Sequence, residues 1–237
     1  MHPILLKIGP ITIYSYGVMV ALGFAVFTFL VWRRAEKFNI NRDKIIDLAI
    51  IMLVSGIIGA RLLYVLLNLS FYIANPLDII KLSKGGLVWY GGFAAALFAV
   101  MIYLKNNALN FWEAADLIAP YIALAQAFGR IGCYMNGCCY GINGFPIQLA
   151  ASASLFIIFI ILLVMQEMRH FPGEIFLSYC VLYSLKRFVI EFFRGDNPKV
   201  LSVFTISQIA SVIIFMAALA LFTYRASAWK KRHSNSK

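Results

Sequence analysis

The chain has 237 residues, of which 62% are hydrophobic and 13% charged, and it carries a formal net charge of +11. Soluble domains contain about 25% charged residues, so this composition excludes an ordinary soluble globular protein. The apolar runs are long and do not alternate with polar residues, which favours transmembrane α-helices over a β-barrel. The positive charge is typical of membrane proteins that retain lysine and arginine in cytoplasmic loops, and we expect no nucleic-acid partner.

The apolar runs predict an all-α, polytopic membrane helix bundle with seven transmembrane helices. We expect a single integral membrane domain over residues 1–237 with a basic tail at 225–237. Twelve lysine and arginine residues fall in the tail and in the loops after the first, third and fifth helices, against five on the opposite side, and most of the twelve lie in the tail and in the first of these loops. This pattern places the N-terminus outside and the C-terminus in the cytoplasm. The predicted helices are 13–32, 45–67, 87–104, 112 up to Ala127, 147–165, 174–193 and 203–224.

The stretch from Ala127 to Gly141 combines an arginine, an asparagine, three cysteines and four glycines directly after an apolar run. A charged side chain at membrane depth costs roughly 2.5–3.5 kcal/mol on insertion scales. Packing alone does not explain such a mixture of residues. We therefore interpret this stretch as the floor of a site that serves a polar ligand.

Ionisable residues within the predicted helices point to the ligand. Arg187 and Glu191 are four residues apart and share a helix face. Asp116 and Arg130 are separated by about 21 Å along an unbroken helix, so they lie at opposite ends unless the helix bends. Such ions either pair to hold helices together or bind a ligand, and the planar fork of arginine suits a phosphate. The whole set is Arg61, Asp116, Arg130, Lys186, Arg187 and Glu191.

The clustered cysteines Cys133, Cys138 and Cys139 leave several chemistries open. A Cys133–Cys138 disulfide would pin the loop on an oxidising outer side. A nucleophilic thiolate also fits, because a neighbouring arginine lowers the pKa of a thiol. We expect no metal, because the spacing is not that of C-x-x-C pairs and no histidine is nearby in sequence. Cys180 is expected to serve packing.

Four blocks of sequence, in this order, resemble the bacterial prolipoprotein diacylglyceryl transferase family over nearly the whole chain. Any one block alone would be a weak signal, but their ordered agreement together with seven helices is specific. The blocks are Ile8-Gly9-Pro10 with Tyr14-Ser15-Tyr16-Gly17, Gly85-Gly86-Leu87-Val88-Trp89-Tyr90-Gly91-Gly92, Asp116 through Gly129-Arg130-Ile131-Gly132 to Gly141, and Tyr183 through Arg187 with Glu191-Phe192-Phe193-Arg194.

The resemblance implies an enzyme that transfers the diacylglyceryl group of phosphatidylglycerol to the lipobox cysteine of preprolipoproteins and releases glycerol-1-phosphate. It implies a bacterial cytoplasmic (inner) membrane location, preprolipoprotein signal peptides as partners and no cofactor. Arg130 and Arg187 match the family's essential arginines, and Glu191 would orient Arg187. Substrate-binding positions fall on Tyr16, Asp116, Gly141 and Tyr183, and the predicted outer-half position of Arg61 adds it to this set.

This chain departs from the family pattern at several positions. Tyr90 stands where the family usually has histidine, and as a base it would need a pKa far below its ordinary value near 10. Cys133 and Cys138 replace an amide and a carboxylate, and the block at 145–151 lacks its histidine and glutamate. Two alternatives therefore stay open: a related protein that uses the same lipid with another acceptor, and a non-catalytic lipid-binding or transport protein.

Overall fold

The computed structural model describes residues 2–9, 11–81, 85–196 and 204–234, and helix dominates these ranges. Each of the seven predicted helices is present, and most of their bounds differ from the prediction by a few residues. Two helices end later than predicted: α5 runs on through the signature stretch (Ala127 to Gly141) to Asn136, and α8 runs through most of the predicted basic tail to Ser234. A short additional helix, α3, lies in the connection after α2. The helices are α1 Ser15–Arg34, α2 Arg42–Leu67, α3 Leu69–Ala74, α4 Trp89–Asn106, α5 Phe111–Asn136, α6 Ile147–Glu167, α7 Glu174–Glu191 and α8 Ile206–Ser234.

The N-terminus corrects the all-α prediction, because it forms a β-hairpin. Strand β1 (Ile4–Ile8) pairs antiparallel with β2 (Ile11–Tyr14). The turn between them contains Gly9, whose φ of 56° is readily adopted only by glycine. β-Branched residues on both sides of a Gly-Pro pair are the sequence signal for this hairpin. It leads directly into α1, since the amide of Ser15 donates to the carbonyl of Pro3 at 3.0 Å.

Several helices present apolar surface in the manner of a multi-pass membrane protein. Among the described residues, four helical segments are long and apolar enough to cross a membrane. Large apolar side chains on them are exposed, for example Ile58 at 57%, Ile157 at 57% and Ile213 at 63%. Seven crossings and the direction of the termini stay predictions. The four segments are Ser15–Phe38, Arg42–Leu67, Ile147–Glu167 and Ile206–Arg232.

The chain divides into two compact units. The larger unit contains the hairpin, α1 as far as Val31, and α5 to α8 from Trp112 onward. The smaller unit spans Trp32–Phe111 and contains α2, α3 and α4. One domain over the whole chain remains a prediction. In the larger unit, α5, α6 and α7 share a buried core made of Ala119, Ala123, Ile158, Leu162, Ile175 and Tyr179.

Helices α2 and α4 of the smaller unit pack with their backbones close together. A Cβ atom added at Gly59 would lie 2.5 Å from the carbonyl oxygen of Gly91, and one added at Gly92 would lie 2.8 Å from that of Gly56. Small residues permit this approach, as they do in membrane helix pairs in general. Gly91 and Gly92, at the end of the block at 85–92, therefore have a packing role.

A bulky residue at Gly59 should separate α2 from α4. We expect Gly59→Val to destabilise the protein by about 1–3 kcal/mol, the usual cost of overpacking. Gly56→Ala is the matched control one turn earlier, because its Cβ would make only an ordinary 3.9 Å contact with the carbonyl of Gly92. Thermal unfolding in detergent checks both variants. Equal unfolding temperatures for the two would contradict the close packing.

Candidate active site

The signature stretch is half helix and half loop. Helix α5 continues through Pro120 and Arg130 and ends at Asn136, and the loop that follows is tied by its backbone to the end of α7. The amide of Ile142 donates to the carbonyl of Phe193 at 3.0 Å, and the amide of Gly195 donates to that of Tyr140 at 3.1 Å. These bonds bring the end of α5 beside the end of α7.

Two residues of the family pattern hold this loop in place. A Cβ atom at Gly141 would lie 2.5 Å from the carbonyl oxygen of Phe145 and 3.1 Å from that of Phe193, so only glycine fits there. The buried side chain of Gln148, on α6, donates to the carbonyl of Cys138 at 2.8 Å. Gly141, predicted to bind substrate, thus has a structural reason to be glycine.

Four cations converge where the loop meets α7: Arg130, Lys186, Arg187 and Arg194 interact electrostatically with one another. Two of them have carboxylate partners. Arg187 lies 3.1 Å from Glu191, the pair predicted from the i, i+4 spacing, and Arg194 donates two hydrogen bonds to Asp196 at 2.9 and 2.8 Å.

The other two cations are not neutralised. Within the described part of the chain, neither Arg130 nor Lys186 has a carboxylate partner. The cluster therefore contains four basic side chains and two carboxylates, a composition that suits an anion. The sequence placed Lys186 among the ionisable residues within the helices but assigned it no catalytic or substrate-binding role.

The predicted tyrosines of the larger unit lie at this cluster. The ammonium of Lys186 is 5.3 Å from the ring centre of Tyr183, in a cation–π contact. Tyr16 packs against the α5 backbone at Gly132, where a Cβ atom would meet its ring at 3.2 Å, and it interacts electrostatically with Arg130. Five predicted residues are thus gathered in one place: Tyr16, Arg130, Tyr183, Arg187 and Glu191.

Glu191 is the central anion of the cluster. The residue is 4% exposed, and its carboxylate accepts a hydrogen bond from the hydroxyl of Thr205 at 2.9 Å in addition to the ion pair with Arg187. Arg194 approaches the same carboxylate at 3.8 Å. Arg187 also donates to Ser207 at 2.8 Å. Since Thr205 and Ser207 lie at the start of α8, Glu191 and Arg187 join α7 to α8 and orient the cations.

Asp116 lies elsewhere, near the other end of α5, as the unbroken-helix spacing predicted. Its fully buried carboxylate accepts hydrogen bonds from the amides of Gly173 at 2.6 Å and Phe176 at 2.9 Å. Arg169 pairs with it at 3.2 Å. The contacts give Asp116 a role in holding the α6–α7 connection and the first turn of α7, and we now propose that role in place of substrate binding.

Replacement of the Asp116 carboxylate tests whether it stabilises the fold or binds substrate. We expect Asp116→Asn to lower the free energy of unfolding by about 1–3 kcal/mol, because an amide NH2 cannot accept from a buried backbone N–H. The rate of catalysis per folded molecule should change little. Glu113→Gln is the control, since its ion pair with Arg169 at 2.6 Å is a quarter exposed and contributes less. A loss of turnover in stable Asp116→Asn protein would restore the substrate-binding role.

Arg61 and Tyr90 belong to the smaller unit. The buried guanidinium of Arg61 donates to backbone carbonyls at 2.6–3.1 Å, and all of its donor nitrogens are used. We therefore propose that Arg61 shapes the loop before α4 rather than contacting substrate. Tyr90 is 73% exposed in the first turn of α4, beside Trp89. The carbonyls that Arg61 binds are those of Asp78, Ile79, Lys81, Gly85 and Gly86.

The three cysteines converge. Their sulfur atoms all lie within 4.8 Å of one another, and each residue is partly buried. None of them forms a disulfide. A hydrogen bond between the thiols of Cys133 and Cys139, helped by the guanidinium of Arg194, holds the pKa of the Cys139 thiol below its ordinary value. Cys139 itself has a φ of 57°, a left-handed conformation that is uncommon for residues other than glycine.

Comparison with known proteins agrees with the resemblance seen in the sequence. A family model described as prolipoprotein diacylglyceryl transferase matches residues 3–224. The phosphatidylglycerol–prolipoprotein diacylglyceryl transferase of Clostridium tetani is 31% identical over 98% of this chain and 100% of its own length. That of Bacillus licheniformis is 31% identical over 95% of this chain and 93% of its own. Transferase 2 of Clostridium perfringens is 30% identical over 94% of both chains.

Proposed function

Since the chain belongs to the prolipoprotein diacylglyceryl transferase family, we propose that it transfers the diacylglyceryl group of phosphatidylglycerol to the lipobox cysteine of preprolipoproteins. Glycerol-1-phosphate is the second product. The location proposed is the bacterial inner membrane, with the cation cluster in its outer half. The observation that carries this proposal is the pair of cations, Arg130 and Lys186, that have no carboxylate partner among the described residues.

The charge of the cluster matches the charge change of the reaction. Phosphatidylglycerol has one negative charge on its phosphate diester. When the bond between the diacylglyceryl carbon and the phosphate oxygen breaks, the oxygen keeps the electron pair and the phosphate becomes a dianion. Two uncompensated cations therefore stabilise the leaving group more than the intact lipid, and this difference lowers the barrier.

The residues of the cluster have distinct roles in this proposal. Arg130 binds the phosphate through its planar fork, and Lys186 adds a point charge. Arg187 supports the same anion and is oriented by Glu191, which makes Glu191 a positioning residue. Tyr16 and Tyr183 lie at the edge of the cluster and offer hydroxyl groups to the glycerol headgroup.

The acceptor is the thiol of the lipobox cysteine. Its sulfur forms a bond to the diacylglyceryl carbon while the carbon–oxygen bond to phosphate breaks, and the thiol proton is released. The diacyl chains and the signal helix of the preprolipoprotein both lie in the bilayer, so a membrane enzyme holds both substrates without removing them from lipid. In the resembled family a histidine usually stands at position 90, and here Tyr90 takes that place.

The proposal is tested with purified protein in lipid nanodiscs that contain phosphatidylglycerol. Addition of a lipobox peptide should release glycerol phosphate and add one diacylglyceryl mass to the peptide. The same peptide with serine in place of the lipobox cysteine is the control and should stay unmodified. Glycerol phosphate release without peptide modification would assign another acceptor. Binding of phosphatidylglycerol without any turnover would assign a non-catalytic role.

A further inference from the structure

The three-cysteine cluster is the feature that the proposed phosphate chemistry does not use. Cys133 lies in the last turn of α5, and Cys138 and Cys139 follow in the loop. The amide of Cys138 donates to the carbonyl of Cys133 at 3.2 Å, which folds the loop back over the helix end. Gln148 holds the carbonyl of Cys138 from the other side. The backbone that carries Cys133 and Cys138 is therefore held by these hydrogen bonds.

The distances fit a metal ion. Zinc–sulfur bonds are about 2.3 Å long, so the sulfur atoms of a tetrahedral site lie about 3.8 Å apart. The three sulfur atoms here all lie within 4.8 Å of one another, and small side-chain rotations close the difference. The sequence argued against zinc because the cysteines are not spaced as C-x-x-C pairs. In the structure the turn after α5 nevertheless places Cys133 beside Cys138 and Cys139.

The charges fit as well. Three thiolates and one Zn²⁺ carry a net charge of −1, which the neighbouring cluster of four basic side chains and two carboxylates offsets while keeping a basic side chain for the phosphate. The guanidinium groups of Arg130 and Arg194 both interact electrostatically with Cys139. Soft thiolate ligands select zinc or copper(I) over magnesium and calcium.

From this geometry we propose that Cys133, Cys138 and Cys139 bind one Zn²⁺ ion through three thiolates. Three protein ligands leave the fourth tetrahedral position free, as in catalytic zinc sites. The role of this free position rests on the proposed function. The position accepts the lipobox thiol of the preprolipoprotein. This deepens the proposed reaction, because a metal-bound thiol loses its proton outright and needs no histidine base.

The step balances. The lipobox thiol binds Zn²⁺ and releases its proton to water, and its sulfur keeps the electron pair. That pair forms the bond to the diacylglyceryl carbon, and the electrons of the broken carbon–oxygen bond leave on glycerol phosphate. The neutral thioether then dissociates from the metal, and water takes the free position. Negative charge thus moves from the zinc-bound sulfur to the phosphate beside Arg130.

Metal binding is tested directly, without any assay of transfer. Full-length protein in nanodiscs is reduced, stripped with a chelator and titrated with Zn²⁺ against a competing chromophoric chelator, and Co²⁺ is used to detect thiolate charge-transfer bands. We expect one ion per chain. The variants Cys133→Ser, Cys138→Ser and Cys139→Ser should each weaken binding more than about 100-fold, since loss of an outer-sphere partner alone costs roughly 10–100-fold. Cys180→Ser is the matched control and should bind as the unmodified protein does.

Two results would overturn the site. One is stoichiometric Zn²⁺ binding that survives replacement of all three cysteines. The other is that fully reduced protein binds no Zn²⁺. Mass spectrometry of untreated protein that shows the loss of two hydrogens would then assign a disulfide to the cluster instead. The role of the metal is tested separately by measuring transfer before and after Zn²⁺ is restored. Zn²⁺ binding with metal-independent transfer would overturn thiol activation, whereas Zn²⁺ binding with no transfer at all would count against the proposed function and leave the metal site standing.

Discussion

Arg130→Ala should reduce the release of glycerol phosphate by about 10²–10³-fold, the usual effect of removing one donor that stabilises developing negative charge. Arg130 has no carboxylate partner among the described residues, so its removal leaves no buried anion and should not harm folding. The effect should fall on kcat more than on KM, because the phosphate gains its second charge only as the carbon–oxygen bond breaks.

Two further variants make this result specific. Arg130→Lys keeps the charge but loses the planar fork, so we expect a rate between those of Arg130→Ala and the unmodified protein. Arg33→Ala removes an exposed arginine at the end of α1 and should leave the rate unchanged. Steady-state assays in phosphatidylglycerol nanodiscs measure all three. Full activity of folded Arg130→Ala protein would remove Arg130 from the proposed mechanism.

Glu191→Ala should have the largest effect on stability. The buried carboxylate bonds Thr205 and pairs with Arg187, and its loss leaves that guanidinium without its buried carboxylate partner. Breaking a buried ion pair by removing one partner costs about 3–5 kcal/mol. We therefore expect a marked fall in the unfolding temperature in detergent, together with loss of activity because Arg187 is no longer oriented.

Conservative variants separate orientation from folding. Glu191→Gln retains an acceptor for the Thr205 hydroxyl but removes the charge that orients Arg187, so turnover should fall more than stability does. Thr205→Val removes the bond to Glu191 and also the bond that the Thr205 hydroxyl accepts from the amide of Gln208 at 3.3 Å, so it should cost about 1–2 kcal/mol with little change in turnover. A Glu191→Gln protein with normal KM and kcat would show that the ion pair is purely structural.

The sequence predicted those features that depend on local pattern. The apolar runs predicted all seven long helices, because each run is longer than a soluble helix needs. The i, i+4 spacing predicted the pairing of Arg187 with Glu191, and the length of α5 predicted that Asp116 and Arg130 lie far apart. The N-terminal hairpin was missed because its two strands are only five and four residues long.

Other features depend on contacts between distant segments, which spacing does not reveal. The backbone bond between Ile142 and Phe193 joins residues about fifty positions apart. The cost of burying Arg61 was visible in the sequence, and a phosphate was the expected partner. In the structure, carbonyl groups of its own unit satisfy it. Backbone conformation decides whether a buried cation binds a ligand or the chain itself. Here the loop before α4 directs the carbonyls of Gly85 and Gly86 toward Arg61.

The backbone bonds between the signature loop and the end of α7 have a consequence for how such an enzyme diversifies. Carbonyl and amide groups at 140–142 and 193–195 make these bonds, so the side chains at positions 133 and 138 take no part in tying the loop to the end of α7. An amide and a carboxylate in the family pattern, and thiols in this chain, are then two sets of functional groups on one frame. The frame can therefore carry different functional groups at positions 133 and 138 without a change in the backbone bonds that tie the loop to the end of α7.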